Sequence, residues 1–566
     1  MERSCYNLGI RKKMRILVLS FFSKLVITKI QKSAKLLTIL GQFQLTNENL
    51  KQMKLNKYVV WSFGIGAILT SLSGCQPKQE KKSPNLVYVF PDQFRKHAMA
   101  FWDDPQFKGA IRTKADPVKT PELDKFAREA VVFTNMVSNC PLCSPHRGSL
   151  FTGLFPGSSG VPLNCNSKRP VSSLRTDAAT ISDVLSGEGY DLAYFGKWHL
   201  DFPTPNDPVN PGNYVDPRRP AWDTYTPKEK RHDFDYWYSY GTWDVHKDPH
   251  YYDREGNRYD PKEWSSKHEA NKVISYLKNE YGQRDPKKPF AVFVSMNPPH
   301  SPYKSVDDCL EEDYDKYKNM TSQELLHRDN ADPEMVKAKS APFYFANVTG
   351  VDREFGRIVQ QLKAMGEYEN TIVVFTSDHG ETMCSQGIKD PKNNIFTEAF
   401  DVPFLIRWPG ILKARVDDLL MGSPDIMPTL LGLMGFEERI PKEVQGYNYA
   451  GVLENEAING KRPNSALYIK NVDGEKDANG KVLSYFPISR GIKTHQYTFE
   501  LTINRDHHLV KTKFFNDDDD PYQLNNLPVD KNDPVVRTLL DEMAFWMKRS
   551  NDPWFEKEIL ADWINY

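Results

Sequence analysis

The stretch from Asn139 to Gly153, NCPLCSPHRGSLFTG, crowds cysteines, prolines, a histidine and an arginine together between Cys140 and Arg147. Three chemistries use such residues: a Cys-x-x-Cys redox pair, half of a zinc site, or a nucleophile with an anion clamp. A redox pair would open a helix in a small thioredoxin-like unit and has no use for Arg147 or for Lys and His pairs elsewhere. A zinc site needs further soft ligands at suitable spacing, and the sequence supplies none. The nucleophile reading employs more of the residues. An arginine four positions after Cys143 can hold an anion by charge-assisted hydrogen bonds, in a turn shaped by proline and glycine whose amides can face the same anion.

Other reactive side chains stand where apolar runs stop. NLVYVF ends at Pro91-Asp92-Gln93, DLAYFGKWHL at Lys197-Trp198-His199, FAVFVSMNPPHSPY leads to His300, TIVVFTSDHG ends at Asp378-His379, and VPFLIRWPG is a fifth strand. Helices fall between them. Thr120-Pro121-Glu122 opens one, with threonine as its cap; Thr180 opens another; a third runs from about Pro342 to Met365. This alternation predicts an α/β fold with a mostly parallel sheet. Ligands of such sheets bind beyond the carboxyl ends of the strands, so Asp92, His199, His300 and Asp378 are expected to converge.

Residues Asp201 to Lys288 show no clear period and read as a long insertion with at most short helices. Its aromatic run from Phe234 to Asp253 is either a sugar-binding wall, with Trp243, His246 and His250 as contacts, or a packed cap. After Gly435 the texture changes, and a small antiparallel sheet packed by a helix near Asp533 to Arg549 is expected. Asp517 to Asp520 is a solvated turn rather than a calcium loop.

Cys143-Ser144-Pro145-His146-Arg147 with Thr152-Gly153 resembles the sulfatase signature C-x-P-x-R-x-x-x-x-T-G. PNLVYVFPDQ, FGKWHL, NPPHSPY, TSDHGE and the segment around Lys392 resemble further sulfatase segments in family order. The resemblance implies an alkaline-phosphatase-like sheet flanked by helices, with a smaller C-terminal α+β subdomain. It implies that a sulfatase-maturating enzyme oxidises Cys143 to Cα-formylglycine, whose hydrated aldehyde is the nucleophile. It places Ca2+ between Asp92, Gln93, Asp378 and His379, and sets Arg147, Lys197 and Lys392 against the sulfate oxygens. His300, aided by Lys392, is the general acid and His199 the base, an assignment that could be reversed. Gln93 and His379 depart from the Asp and Asn of many members.

Gln386 stands where many members have a substrate-contacting histidine, and its Ser-Gln-Gly setting leans the substrate toward galactose or N-acetylgalactosamine sulfates. The implied activity is hydrolysis of a carbohydrate sulfate ester. Its rivals are a phosphodiesterase or phosphonate monoester hydrolase with the same modified cysteine, and a non-catalytic sulfated-glycan binding lipoprotein.

The whole chain sets the frame. Its 566 residues suffice for a large domain and a smaller one, and 39% hydrophobic with 26% charged residues describe a folded globular protein. The 74 basic and 74 acidic side chains cancel, so no global field draws it to nucleic acid, and any anion must be met by local charges. MKLNKYVVWSFGIGAILTSLSGC, from Met53, reads as a basic head, a short apolar run and a lipobox-like end that puts a lipid on Cys75. The expected organisation is an upstream extension (1–52) outside the mature fold, a lipoprotein signal (53–75), a tether (76–84), a catalytic domain (85–440) and a C-terminal subdomain (441–566). The expected location is the outer membrane, facing the periplasm in preference to the alternative, the cell surface, with the lipid as the sole membrane contact. Cys140, Cys143, Cys165, Cys309 and Cys384 form no disulfide framework.

Overall fold

Five apolar runs lie side by side as parallel strands, in the order Thr371–Thr376, Asn85–Val89, Phe290–Ser295, Asp191–Lys197 and Tyr236–Tyr240. Only Tyr236 among their residues is not buried, as a sheet covered on both faces requires. Alternation persists beneath that uniform burial. Leu86, Tyr88, Leu192 and Tyr194 enter one core, and Val87, Val89, Ala193 and Phe195 the other. The computed structural model describes residues 83–168, 171–203, 222–454, 462–472, 475–477, 479 and 482–566. The expected upstream extension, signal, Cys75 and nearly all of the tether lie outside the described residues.

Five further strands, joined through antiparallel pairings on both sides, complete a ten-stranded sheet. Phe404–Arg407, the fifth expected strand, runs antiparallel between Thr371–Thr376 and Val131–Phe133, and Arg415–Asp417 closes that edge. Tyr251–Asp253 and Arg258–Tyr259 close the other. Helices Pro121–Ala127, Ser265–Lys278 and Ala341–Ala364 pack on one face, while Cys143–Thr152, Ile181–Gly187 and Ile426–Leu433 pack on the other. A separate four-stranded antiparallel sheet of Ser465–Lys470, Ile488–Thr494, Tyr497–Ile503 and Leu509–Asn516 is covered by helix Pro534–Arg549.

Two expectations are corrected here. The long insertion supplies a central-sheet strand, Tyr236–Tyr240, and a helix of 14 residues, Ser265–Lys278. The strand hid because a run buried on both faces has no polar alternation, and the helix because charges dilute its buried Ala270, Val273 and Leu277. Thr120 does not cap helix Pro121–Ala127 with its side chain. The amides of Glu122 and Leu123 donate instead to Asp352, at 3.1 and 2.7 Å, from a helix far along the chain. Thr180, by contrast, forms a capping box with Asp183.

Trp198 shows how the core positions chemistry. Its ring packs 5.0 Å from Tyr194, 5.2 Å from Trp237 and 5.3 Å from Phe151, centroid to centroid, so the flanking Lys197 and His199 sit on a fixed base. Gly196, with φ 91°, lets this strand end approach its neighbour, because a Cβ there would lie 2.1 Å from the Ser295 carbonyl oxygen. Trp198→Ala is expected to lower stability by about 3–5 kcal/mol, read by urea denaturation. A loss below roughly 1 kcal/mol would show that this aromatic cluster does not hold the strand end.

Candidate active site

The carboxyl ends of four parallel strands carry the expected residues to one place. Asp92 follows Asn85–Val89, Lys197 ends Asp191–Lys197 with His199 just beyond, His300 follows Phe290–Ser295, and Asp378 and His379 follow Thr371–Thr376. Cys143 joins them from the first position of helix Cys143–Thr152, which Gly153 ends in a left-handed conformation, φ 68°. The Cys143 sulfur lies 3.2 Å from Lys392 Nζ, 3.3 Å from His379 Nε2 and 3.6 Å from Asp92 Oδ1. Lys392 Nζ also stands 3.0 Å from His300 Nε2, linking that imidazole to the sulfur through one ammonium. A cavity of about 620 Å³ opens above, lined among others by Gln93, Cys143, Lys197, His199, His300 and Lys392.

Buried charge is balanced pair by pair. Lys197 Nζ meets Asp92 Oδ2 at 2.7 Å and donates to Asn297 Oδ1 at 3.3 Å. Arg147 is fully buried, and its Nη2 lies 3.2 Å from Asp92 Oδ2 and 3.0 Å from Asp378 Oδ2. Its Nη1 donates to the Lys197 carbonyl at 2.7 Å and to Ser295 Oγ at 2.6 Å. Those donors are spent on protein groups and Arg147 does not line the cavity, so it supports the two aspartates rather than facing a ligand. Burial and Asp92 push the Cys143 thiol up, but Lys392, Lys197 and His379 outweigh them and hold it well below the ordinary thiol range. Burial also opposes ionisation of Asp92, yet Lys197, His300 and His379 keep it well below the usual carboxylate value.

The loop that carries Cys143 is not built as a redox pair. Cys140 and Cys143 form no disulfide; Cys140 packs in the core of the C-terminal subdomain, where burial pushes its thiol up to about 12. The helix N-terminus is partly occupied, because the Ser144 amide donates to Asn164 Oδ1 at 2.9 Å and Pro145 has no amide hydrogen. Fewer backbone donors therefore face the cavity than the turn alone suggested. His146, inside the signature, places Nδ1 3.0 Å from both Ser138 Oγ and Ser423 Oγ, and burial lowers its pKa to about 3. It is a neutral structural member.

The four expected substrate contacts lie off the cavity wall. Gln386 donates to the Tyr522 carbonyl at 2.6 Å, reaching the C-terminal subdomain. Trp243 Nε1 donates to the Asp248 carbonyl, His246 Nδ1 stands 2.8 Å from the Asp308 carbonyl, and His250 Nε2 lies 2.9 Å from Asp223. The aromatic run is mainly a packed layer, since Trp237, Tyr238, Tyr240 and Tyr251 are buried. Asn164, Trp222, Thr242, Asp244 and Asn471 line the wall instead. Only their positions reveal them; Thr242 and Asp244 immediately flank the Trp243 that aromatic content had singled out.

Asp92, Cys143, Asp378 and His379 bring their ligand atoms within 4.8 Å of one another. His379 turns Nδ1 to the Gly380 carbonyl at 2.9 Å, which leaves Nε2 for the cluster. The Gln93 amide oxygen is buried without a hydrogen-bond partner. Two carboxylates, an orphaned amide oxygen and one imidazole nitrogen form a mostly hard donor set that fits Ca2+. Gln93 and His199 hold left-handed backbone at φ 64° and 53°, local strain stored where the site needs direction.

Without an ion, burial and Lys392 lower the His379 pKa, but Asp378, Cys143 and Asp92 bring it up to about 10. The imidazolium proton must leave Nε2 before that nitrogen can ligate. Ca2+ uptake is therefore expected to release about one proton at neutral pH and to weaken as pH falls, by roughly tenfold per unit. Calorimetry in buffers of different ionisation enthalpy measures this, and uptake with no proton released would remove His379 from the ligand set.

A family model described as sulfatase matches residues 84–436, from the first strand past helix Ile426–Leu433. The chain is 57% identical over 506 residues to an endo-4-O-sulfatase of Bacteroides thetaiotaomicron, covering 88% of this chain and 100% of that one. It is 33% identical over 502 residues to an ulvan-active sulfatase of Formosa agariphila, covering 86% of this chain and 84% of that one. A solved Bacteroides thetaiotaomicron structure, from work on the metabolism of multiple glycosaminoglycans, matches with a TM-score of 0.83 at 58% identity, covering 86% of this chain and 100% of that one. The matched span contains Cys143, the four strand ends and Lys392, and the chain belongs to the sulfatase family, as a sulfuric ester hydrolase.

Proposed function

We propose that this sulfatase removes a 4-O-sulfate from a galactose-configured sugar, N-acetylgalactosamine foremost, inside a glycosaminoglycan chain. The observation that carries the chemistry is the Cys143 sulfur at the cavity floor, with Lys392 Nζ at 3.2 Å and His379 Nε2 at 3.3 Å. The substrate class rests on the 57% identity to an endo-4-O-sulfatase. Oxidised to formylglycine by a maturating enzyme, Cys143 supplies a hydrated aldehyde as nucleophile. Asp92, Gln93, Asp378 and His379 would hold Ca2+, which would supply positive charge to the site.

The remaining residues act through charge and protons. Lys197 and Lys392 line the cavity and neutralise sulfate oxygens, while Arg147 pairs with both aspartates from below. A sugar alkoxide leaves poorly, so a proton must reach the bridging oxygen, and His300, linked to Lys392 at 3.0 Å, is the donor. His199, whose Nδ1 is buried without a hydrogen-bond partner, takes a proton at the modified side chain. Export as a lipoprotein anchored through Cys75 and facing the periplasm suits a polymeric glycan substrate; its support is the sequence from Met53 to Cys75.

Two experiments test this reading. Peptide mass spectrometry of protein from its native host should find residue 143 lighter by about 18 Da, the thiol-to-aldehyde change. An intact thiol in all of the protein would leave the binding lipoprotein as the better reading. The matured enzyme should then cleave internal 4-O-sulfates of glycosaminoglycan oligosaccharides and spare 6-O-sulfates; preference for a phosphodiester would move it to the rival hydrolase class.

His300→Ala should cost about 10²–10⁴-fold in kcat on a sugar sulfate and far less on nitrophenyl sulfate, whose leaving group needs no proton. Equal losses on the two substrates would take the acid role from His300.

A further inference from the structure

We propose that Glu381 is a positioning residue that decides which end of the Gln93 amide faces the ion site. The inference rests on reading Asp92, Gln93, Asp378 and His379 as the groups that hold the cation. Glu381 is fully buried and accepts four hydrogen bonds. Lys337 Nζ at 2.7 Å and the Met383 amide at 2.8 Å donate to Oε1; Tyr303 Oη at 2.7 Å and Gln93 Nε2 donate to Oε2. With four donors converging, this carboxylate only accepts.

An acceptor-only partner fixes the direction of an amide. The Gln93 NH2 turns toward Glu381, and its oxygen is left buried, with no donor, in a residue that lines the cavity floor. The backbone prevents an alternative by translation: the Gln93 amide donates to Asp378 Oδ1 at 3.1 Å, and its carbonyl accepts from Tyr344 Oη at 2.8 Å. A buried acceptor without a donor is costly, and a cation satisfies it. The glutamine at position 93 thereby acquires a reason. A carboxylate there would stand against Glu381 in hydrogen-bond contact, so this site needs a neutral residue with a donor on one side and an acceptor on the other.

The test exchanges the two residues and reads Ca2+ binding by calorimetry on chelator-stripped protein. Glu381→Gln presents an NH2 to the Gln93 NH2, turns that amide over and is expected to weaken Ca2+ binding on the order of tenfold or more. Gln93→Glu adds negative charge to a cation site, which charge counting alone makes tighter; collision with Glu381 is expected to make it at least about tenfold weaker. The double variant, a carboxylate at 93 accepting from an amide at 381, is expected to bind within about threefold of the parent.

Single variants that bind like the parent, or a double variant that does not recover, would reduce Glu381 to a structural role. A parent protein that takes up no Ca2+ would instead overturn the ion-site reading, and this inference with it. Thermal midpoints in chelator report folding. Should Glu381→Gln fail to fold, the sign of the Gln93→Glu effect decides alone, because that variant keeps Glu381.

Discussion

Two carboxylates in one dry place are the constraint around which this protein is arranged. Asp92 and Asp378 end neighbouring strands, both fully buried, and their mutual repulsion is not screened by water. One guanidinium answers both. Arg147 reaches a carboxylate oxygen of each aspartate while its other arm rests on the Lys197 carbonyl and Ser295 Oγ, at the ends of two further strands. The parallel register therefore does more than gather side chains: it presents two acids, one carbonyl and one hydroxyl to a single planar cation. Removing one partner from a buried pair of this kind costs about 3–5 kcal/mol.

Above this neutralised layer the charges become available for chemistry. Lys392 carries one ammonium to the Cys143 sulfur, His379 and His300 together, within 3.0–3.2 Å. Lys197 shares itself between Asp92 and Asn297 and still lines the cavity. A chain with no net charge thus concentrates cations where an anion would sit, by placing their countercharges one layer below.

The parts of this design that were legible in the sequence are those made by local pattern. Apolar runs ending in Asp, Lys or His named the strands and their working ends, since both depend on neighbours along the chain. The signature around Cys143 suggested a nucleophile position by resemblance, and the fold brings that residue to the strand ends. What the sequence concealed is what long-range contact decides. Arg147 read as an anion clamp, and only the fold shows its donors spent on Asp92 and Asp378. Gln386 and His246 carry suitable groups, but the backbone turns them to the Tyr522 and Asp308 carbonyls. The strand Tyr236–Tyr240 escaped because burial on both faces erases the period by which strands are read.

The loop before Cys143 crosses between the two sheets. Cys140 and Leu142 pack with Leu467, Ile492 and Phe499 in the core under helix Pro534–Arg549. The Asn393 amide donates to the Pro141 carbonyl, and its side chain donates to the Asn471 carbonyl. The small sheet thus supplies part of the cavity wall, through Asn471 just past its first strand, rather than standing as an appendage. Its melting would release the Cys143 loop from one side, so inactivation on heating should follow the weaker of the two cores, and recombining large and small lobes from different relatives would have to keep this seam matched before any question of substrate arose.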